Sequence, residues 1–228
     1  QKALTHPPSY RDSYRHFREF GRAGLDKSVS WMGDLTPECL IWDNREELLA
    51  LAERGQGAIL MGAHLGNLEM LRALSEQIPE VKISALVFHE HAKRFHALLK
   101  ELNPDMDLDM IPVDTMSIEV AIDIKNRVDR GEFISVLADR VSTTAQDRSV
   151  FAPFFGKEAP FPQGPFILAK QLECPVFLLF CIREEGTRYR VYLEHFADRI
   201  EIPRKNRQEA LSGVVHRYAE RLEYHCTL

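Results

Sequence analysis

Short apolar runs alternate with amphipathic segments along most of this chain. Apolar runs at 39–42, 58–61, 83–88, 110–113 and 133–138 predict buried strands, and the segments 44–54, 68–77, 91–102 and 117–130 predict the helices between them. Strands that are separated by helices of this length imply right-handed crossovers and a mostly parallel sheet.

The C-terminal part of the chain follows a different pattern. A helix over 166–172 leads into an apolar strand over 174–182, and the alternating segment 188–195 predicts a strand that pairs with it as a hairpin. The segment 207–225 predicts a closing helix. We therefore expect one α/β domain over 1–228, with a mostly parallel central sheet flanked by helices and a C-terminal hairpin and helix.

An aromatic-rich amphipathic helix is predicted over 8–32. Its apolar positions recur at steps of three and four residues and include Tyr10, Tyr14, Phe17 and Phe20. We expect this face to pack against the core of the domain. Direct contact with a membrane is the alternative.

Composition and residue spacing give no reason to expect nucleic-acid binding or a metal site. The 228 residues are 45% hydrophobic and 28% charged, and the net charge of −5 gives no reason to expect a nucleic-acid partner. The four cysteines lack metal-ligand spacing and suggest reduced thiols, and the cluster of His89, His91 and His96 lacks a matching carboxylate or cysteine, so we expect no metal site.

The ends of the chain suggest a trimmed portion of a longer polypeptide. The sequence begins at Gln1 without an initiator methionine and stops at Leu228, directly after a helical pattern. No run approaches the roughly 20 apolar residues of a membrane span. A membrane anchor removed from either end would not be visible in this sequence.

The segment 57–70 carries the strongest candidate chemistry. His64 follows the strand 58–61, a Gly66-Asn67 turn comes next, and Glu69 lies in the first turn of the predicted helix, with Asn67 as its N-cap. A neutral imidazole can take a proton from a hydroxyl while a carboxylate on its other nitrogen fixes the tautomer. The alternative is a core histidine beside a glutamate that only complements the helix dipole.

Two further features lie at or after the strand 133–138. Asp139-Arg140 is either a surface ion pair or an anion clamp, in which the arginine binds a phosphate. The long aromatic loop that follows, 141–165, is either a hydrophobic plug over the sheet or the lining of a slot for an acyl chain. No motif of a serine hydrolase, a P-loop or a dinucleotide-binding fold is present.

Together these motifs resemble the lysophospholipid acyltransferase superfamily and, within it, the bacterial lipid A biosynthesis acyltransferases. The matching pieces are the H-x4-[DE] block from His64 to Glu69, Asp139-Arg140, Phe154-Phe155-Gly156, the helix start at 164–170 and the closing hairpin and helix, in the family's order. The family's threonine-containing stretch after Phe-Phe-Gly is replaced here by Pro-Gln-Gly-Pro at 162–165, which leaves the acceptor lipid open. Residues 185–188 also spell the EGTR signature of glycerolipid acyltransferases, but they lie between two apolar strands, where a hairpin turn already explains them.

The resemblance implies transfer of a fatty acyl group from a thioester, on acyl carrier protein or coenzyme A, to a hydroxyl of a membrane lipid or glycolipid, without another cofactor. It implies His64 as the general base with Glu69 as its partner, and an enzyme on the membrane surface at the cytoplasmic face of the bacterial inner membrane. The substrate-binding residues that it implies are Gly66, Asn67, Asp139, Arg140, Gln163 and Gly164. A thioesterase or lipid hydrolase that uses the same dyad, and a non-catalytic lipid-binding module, remain the alternatives.

Overall fold

The computed structural model describes residues 7–31, 39–67, 81–87, 110–112, 117–141, 148–184, 186 and 188–228. Its helices are α1 (Tyr10–Trp31), α2 (Arg45–Glu53), α3 (Ile118–Asp129), α4 (Gly164–Leu172) and α5 (Arg207–His225). Its strands are β1 (Leu40–Asp43), β2 (Ile59–Gly62), β3 (Ile83–Val87), β4 (Met110–Pro112), β5 (Phe133–Leu137), β6 (Ser149–Phe154), β7 (Lys157–Pro162), β8 (Val176–Arg183) and β9 (Tyr189–Ala197). The predicted helices 68–77 and 91–102 lie outside the described residues.

Seven strands form one mostly parallel sheet in the order β1-β9-β8-β2-β5-β3-β4. Five strands run parallel to one another, in the order β8-β2-β5-β3-β4. β9 pairs antiparallel with β8 as the second strand of a hairpin. β1 adds to the outer side of β9 in the same direction as β9. The predicted fold class, with its C-terminal hairpin and closing helix, is confirmed.

The alternation of side chains along β2 explains why this strand lies in the middle of the sheet. Ile59 and Met61 face one hydrophobic cluster with α4 and α5, while Ala58 and Leu60 face a second cluster with α2. Because both faces of a parallel sheet are covered by helices, such a strand is apolar at every position. The whole of β2 is buried.

The stretch predicted as a long aromatic loop contains a two-stranded hairpin, β6–β7. Its turn consists of Phe155 and Gly156, both with positive φ (47° and 72°), which is the backbone of the tight turn that suits the twist of paired strands. The prolines within these strands concealed the hairpin from the sequence pattern, but each strand of a two-stranded sheet has a free edge that tolerates them.

The aromatic rings of this hairpin pack onto the closing helix. Phe161 lies 6.0 Å from Tyr218 and 5.8 Å from Phe154, ring centre to ring centre, and Phe166 of α4 lies 5.5 Å from Tyr218. Phe161, Phe166 and Tyr218 are buried. Phe161, Phe166 and Tyr218 therefore form part of the core, whereas Phe151 of β6 is 59% exposed.

The prediction that the aromatic face of the first helix packs against the core is wrong. Helix α1 forms, but Tyr10, Tyr14, Phe17 and Phe20 are all exposed. The helix is attached instead by its acidic side, where Asp26 accepts a hydrogen bond from the Tyr189 hydroxyl. Polar contacts, which carry no signal in hydrophobic periodicity, determine which side of this helix meets the protein.

Candidate active site

Two neighbouring parallel strands bring His64 and Asp139 together. Gly62 of β2 pairs with Leu137 of β5, and each candidate residue follows its strand by two positions. The carboxyl-terminal ends of parallel strands form the edge of an α/β sheet at which ligands bind. The register thus places an imidazole and a carboxylate side by side at that edge.

The two side chains form a direct hydrogen bond. His64 Nδ1 lies 2.9 Å from Asp139 Oδ1 and 3.1 Å from Oδ2. The His64 side chain is 40% exposed, whereas that of Asp139 is 17% exposed. Because a carboxylate can only accept, Nδ1 carries the proton, and Nε2 keeps a lone pair available for a substrate.

The surroundings of Asp139 keep it ionised. Burial tends to raise the pKa of its carboxyl, but the hydrogen bonds from the His64 side chain and from the backbone amides of His64 and Asp139 act in the opposite direction, and the pKa is lowered overall. At neutral pH, Asp139 is therefore a fixed negative charge on Nδ1. This is the arrangement by which a carboxylate orients a histidine and stabilises its protonated form.

The end of β2 is held in place by two hydrogen bonds to one carbonyl. The oxygen of Gly62 accepts from the Ala138 amide at 3.0 Å and from the Tyr218 hydroxyl at 2.8 Å. Tyr218 is fully buried in α5. The closing helix therefore fixes the strand end from which His64 projects, a role that the sequence did not reveal because Tyr218 matched only an apolar helical position.

The turn after His64 lies directly against β8. Gly66 bridges to Cys181, and the Asn67 amide donates to the Cys181 carbonyl at 2.8 Å. Gly66 has a φ of +75°, and a Cβ added there would lie 1.9 Å from that carbonyl oxygen. Only glycine fits this position. The Cys181 thiol is itself buried, and burial raises its pKa, so it is not a nucleophile beside the site.

We expect Gly66→Ala to lower the free energy of unfolding by about 2 kcal/mol or more, because the new methyl group meets backbone in a strained conformation. Chemical denaturation followed by circular dichroism measures this loss. Gly213→Ala is the matched control, since Gly213 lies in α5 with open space around it. That variant should be as stable as the wild type or up to about 1 kcal/mol more stable. Equal stability of the two variants would contradict the close approach.

The structure places the other predicted site residues in different situations. Asn67 is fully buried beside Tyr189 rather than facing solvent. Gln163 donates from Nε2 to the Ser149 carbonyl at 3.2 Å, which connects the start of α4 to the β6–β7 hairpin. Gly164 is exposed at the start of α4. Glu69 lies outside the described residues.

Arg140 follows Asp139 in the sequence but does not pair with it. It is exposed, and it forms no hydrogen bond or ion pair with any residue in the described part of the chain. The carboxylate of Asp139 bonds His64 instead.

The described part of the hairpin turn after β8 agrees with a structural explanation of the EGTR sequence. Gly186 has a φ of +71°, and its carbonyl accepts hydrogen bonds from the Arg183 side chain, at 3.1 Å from Nε. β8 and β9 pair up to Arg183 and Tyr189 on either side of it. A glycine is needed here by the turn itself.

Comparison with known proteins identifies the family. A family model described as bacterial lipid A biosynthesis acyltransferase matches residues 16–198, which include both strands that carry the site. A search of curated proteins found no match. Within the described ranges, no helix has the length and apolar character to cross a bilayer, and no group of histidine, cysteine and acidic side chains could hold a metal ion. The chain belongs to the bacterial lipid A biosynthesis acyltransferase family, and its activity is that of an acyltransferase acting on lipid.

Proposed function

We propose that this protein transfers a fatty acyl chain from an acyl thioester to a hydroxyl group of a membrane lipid or glycolipid, with His64 as the general base. The hydrogen bond between His64 Nδ1 and Asp139 carries this proposal. It leaves Nε2 of an exposed imidazole at the sheet edge as the group that meets the acceptor hydroxyl.

The reaction proceeds through direct attack. His64 Nε2 takes the proton of the acceptor hydroxyl as its oxygen attacks the thioester carbonyl carbon, and a tetrahedral intermediate forms. The carbon–sulfur bond then breaks, and the imidazolium returns the proton to the leaving thiolate. Asp139 stabilises the imidazolium during this cycle. No covalent acyl-enzyme is needed.

The oxyanion of the intermediate requires donors other than Asn67. The backbone amide of Asn67 is not available, because it already donates to the Cys181 carbonyl. Helix α4 offers an alternative, since it returns the chain from the edge where β5 ends to the start of β8 and so begins at the same edge as His64. Its exposed start at Gly164 provides the amide of that residue and the positive end of the helix dipole, whereas Pro165 has no N–H to donate.

Arg140 is the candidate for binding a phosphate of the acceptor or of the donor carrier. Its guanidinium is exposed beside the site and forms no pair within the described residues, so a forked contact to phosphate oxygens costs no existing bond. In an acyl-transfer assay with a labelled thioester, Arg140→Gln should raise KM for one substrate about tenfold with little change in kcat. Arg130→Gln is the control at the surface and should change neither KM nor kcat. An unchanged KM for both substrates would remove Arg140 from binding.

The test of function follows a labelled acyl chain. Purified full chain is mixed with labelled acyl carrier protein thioester, or in parallel with acyl coenzyme A, and a bacterial membrane-lipid extract. Label that enters a lipid establishes the transferase, its mass identifies the acceptor, and the better thioester identifies the donor. Label released as free fatty acid would indicate a hydrolase instead. Binding of acyl chains without thioester consumption would indicate a lipid-binding module.

We place the reaction at the cytoplasmic face of the inner membrane, because acyl thioesters of both kinds are made in the cytoplasm while the acceptor is a membrane lipid. Glu69, which the sequence predicts as the partner of His64, lies outside the described residues, and its role is tested by Glu69→Gln beside Asp139→Asn. The lipid acceptor also implies contact with a membrane surface.

A further inference from the structure

Helix α1 presents five large apolar side chains to solvent along one face, which we call the aromatic stripe. Its members and their exposed fractions are Tyr10 (98%), Tyr14 (67%), Phe17 (73%), Phe20 (76%) and Leu25 (68%). A contiguous apolar surface of this kind marks an interaction site rather than ordinary surface composition. We propose that the aromatic stripe is the surface through which this protein docks onto an anionic lipid bilayer, with α1 lying in the plane of the membrane.

The charges of α1 are sorted around the stripe. Counting about 100° of rotation per residue, the helix's four arginines all lie on one border of the stripe, about 80° to 140° from Tyr10: Arg11, Arg15, Arg18 and Arg22. Its three acidic residues lie farther round the helix, about 160° to 200° from Tyr10: Asp12, Glu19 and Asp26. Glu19 forms ion pairs with Arg18 at 2.7 Å and with Arg22 at 3.0 Å. An apolar face bordered by arginine is the pattern of helices that lie in the headgroup region of a bilayer.

The acidic side of α1 is the side that meets the protein. The Asp26 carboxylate accepts from the Tyr189 hydroxyl, and Arg183 lies 3.7 Å from both Glu19 and Asp26. Ser30, near the end of the helix, is buried. These contacts fix the rotation of the helix, so that the stripe faces away from the domain and cannot turn inward without breaking them.

An anionic bilayer fits the stripe better than a second copy of the chain. In a symmetric antiparallel helix pair, equivalent borders face each other, so the arginine border would meet its own copy and like charges would repel. Anionic headgroups instead place negative charge at the depth of the arginines, while the tyrosine and phenylalanine rings enter the boundary with the acyl chains. Charge complementarity therefore selects lipid as the occupant.

Docking through α1 also orients the candidate active site. Tyr189 begins β9, and because β9 runs antiparallel to β8 its start lies at the sheet edge that carries His64. The Tyr189 hydroxyl donates to Asp26 of α1, and Asn67 of the site turn lies beside Tyr189. The helix and the site thus share one edge of the sheet. This orientation toward a lipid acceptor rests on the proposed function, whereas the binding of lipid does not.

Flotation of the full chain with vesicles tests the docking surface without any substrate. The vesicles contain either phosphatidylcholine alone or two parts phosphatidylcholine to one part phosphatidylglycerol. We expect binding to the anionic vesicles that weakens as salt is added, and the double variant Phe17→Ser/Phe20→Ser should lower the fraction bound at least about tenfold. The matched control is Ile118→Ser/Ile122→Ser, which removes two exposed apolar side chains from α3.

Circular dichroism establishes that both double variants are folded. Equal loss of binding in the two variants, or a wild-type chain that binds neither kind of vesicle, would overturn the proposal. A wild-type dimer in light scattering that becomes a monomer in Phe17→Ser/Phe20→Ser would assign the stripe to a second copy instead. Because the readout is binding, it stands apart from acyl transfer: a chain that docks but transfers no acyl group refutes the proposed function alone.

Discussion

We expect His64→Ala to lower kcat for acyl transfer by a factor on the order of a hundred to ten thousand while the protein remains folded. The loss follows because the variant has no group at the sheet edge to take the proton of the acceptor hydroxyl. His64 is 40% exposed, so its removal leaves no buried cavity. The measurement is the initial rate of labelled lipid formation at saturating substrates, together with a thermal unfolding curve for each protein.

His195→Ala is the matched control for this substitution. His195 is also an exposed histidine paired with an aspartate, since its Nε2 lies 3.1 Å from Asp198 Oδ1, but it lies near the end of β9, at the opposite edge of the sheet from His64. We expect it to retain the full rate. A His64→Ala protein that is folded and still transfers acyl groups at the wild-type rate rules out the mechanism.

We expect Asp139→Asn to produce the second large effect, a loss in kcat of about a hundred- to ten-thousand-fold with little change in KM. The amide keeps the shape of the side chain but removes the negative charge that fixes the proton on Nδ1 and stabilises the imidazolium. The same measurement on Glu69→Gln tests the partner predicted from the sequence. If Glu69→Gln costs more than Asp139→Asn, Glu69 is the principal partner of His64, and the observed hydrogen bond is of secondary importance.

The difference in stability between the wild type and Asp139→Asn depends on pH in a defined direction. The pKa of Asp139 is lowered in the folded protein, so its carboxylate stabilises the fold above the pKa of an unfolded aspartate, about 3.9, and this stabilisation disappears as the pH falls through the folded value. Denaturation of wild type and variant at several pH values should therefore show a difference near neutrality that vanishes in acid. A difference that grows in acid would mean that Asp139 is not a stabilised carboxylate.

The parts of the fold that follow from burial could be predicted from the sequence. Apolar runs identified β2 and β5, and the amphipathic period identified α5 with its observed bounds, because each of these elements buries the residues that define its pattern. Candidate chemistry at the ends of those strands followed in turn. The family resemblance, based on the order of weak motifs, is confirmed by the match over residues 16–198.

The parts that depend on contacts between distant residues could not be predicted. Sequence proximity suggested Glu69 for His64, whereas the carboxylate on Nδ1 is Asp139, 75 residues away and adjacent only through strand register. The β6–β7 hairpin was concealed by its prolines. The outward face of α1 depends on Asp26 and Tyr189, two polar residues 163 positions apart, and neither alters the hydrophobic pattern from which an inward face was expected.

The contacts of α1 and β1 with β9 also set an order of assembly. Among the described strands, β1 pairs with β9 alone; Arg190 bonds Asp43 across 147 residues, and α1 is attached through Tyr189. During synthesis these partners emerge from the ribosome long after the first helix and strand have appeared. β1, which forms one edge of the sheet, is therefore added last. Helix α1 is exposed on the nascent chain before the strand to which it attaches has been made.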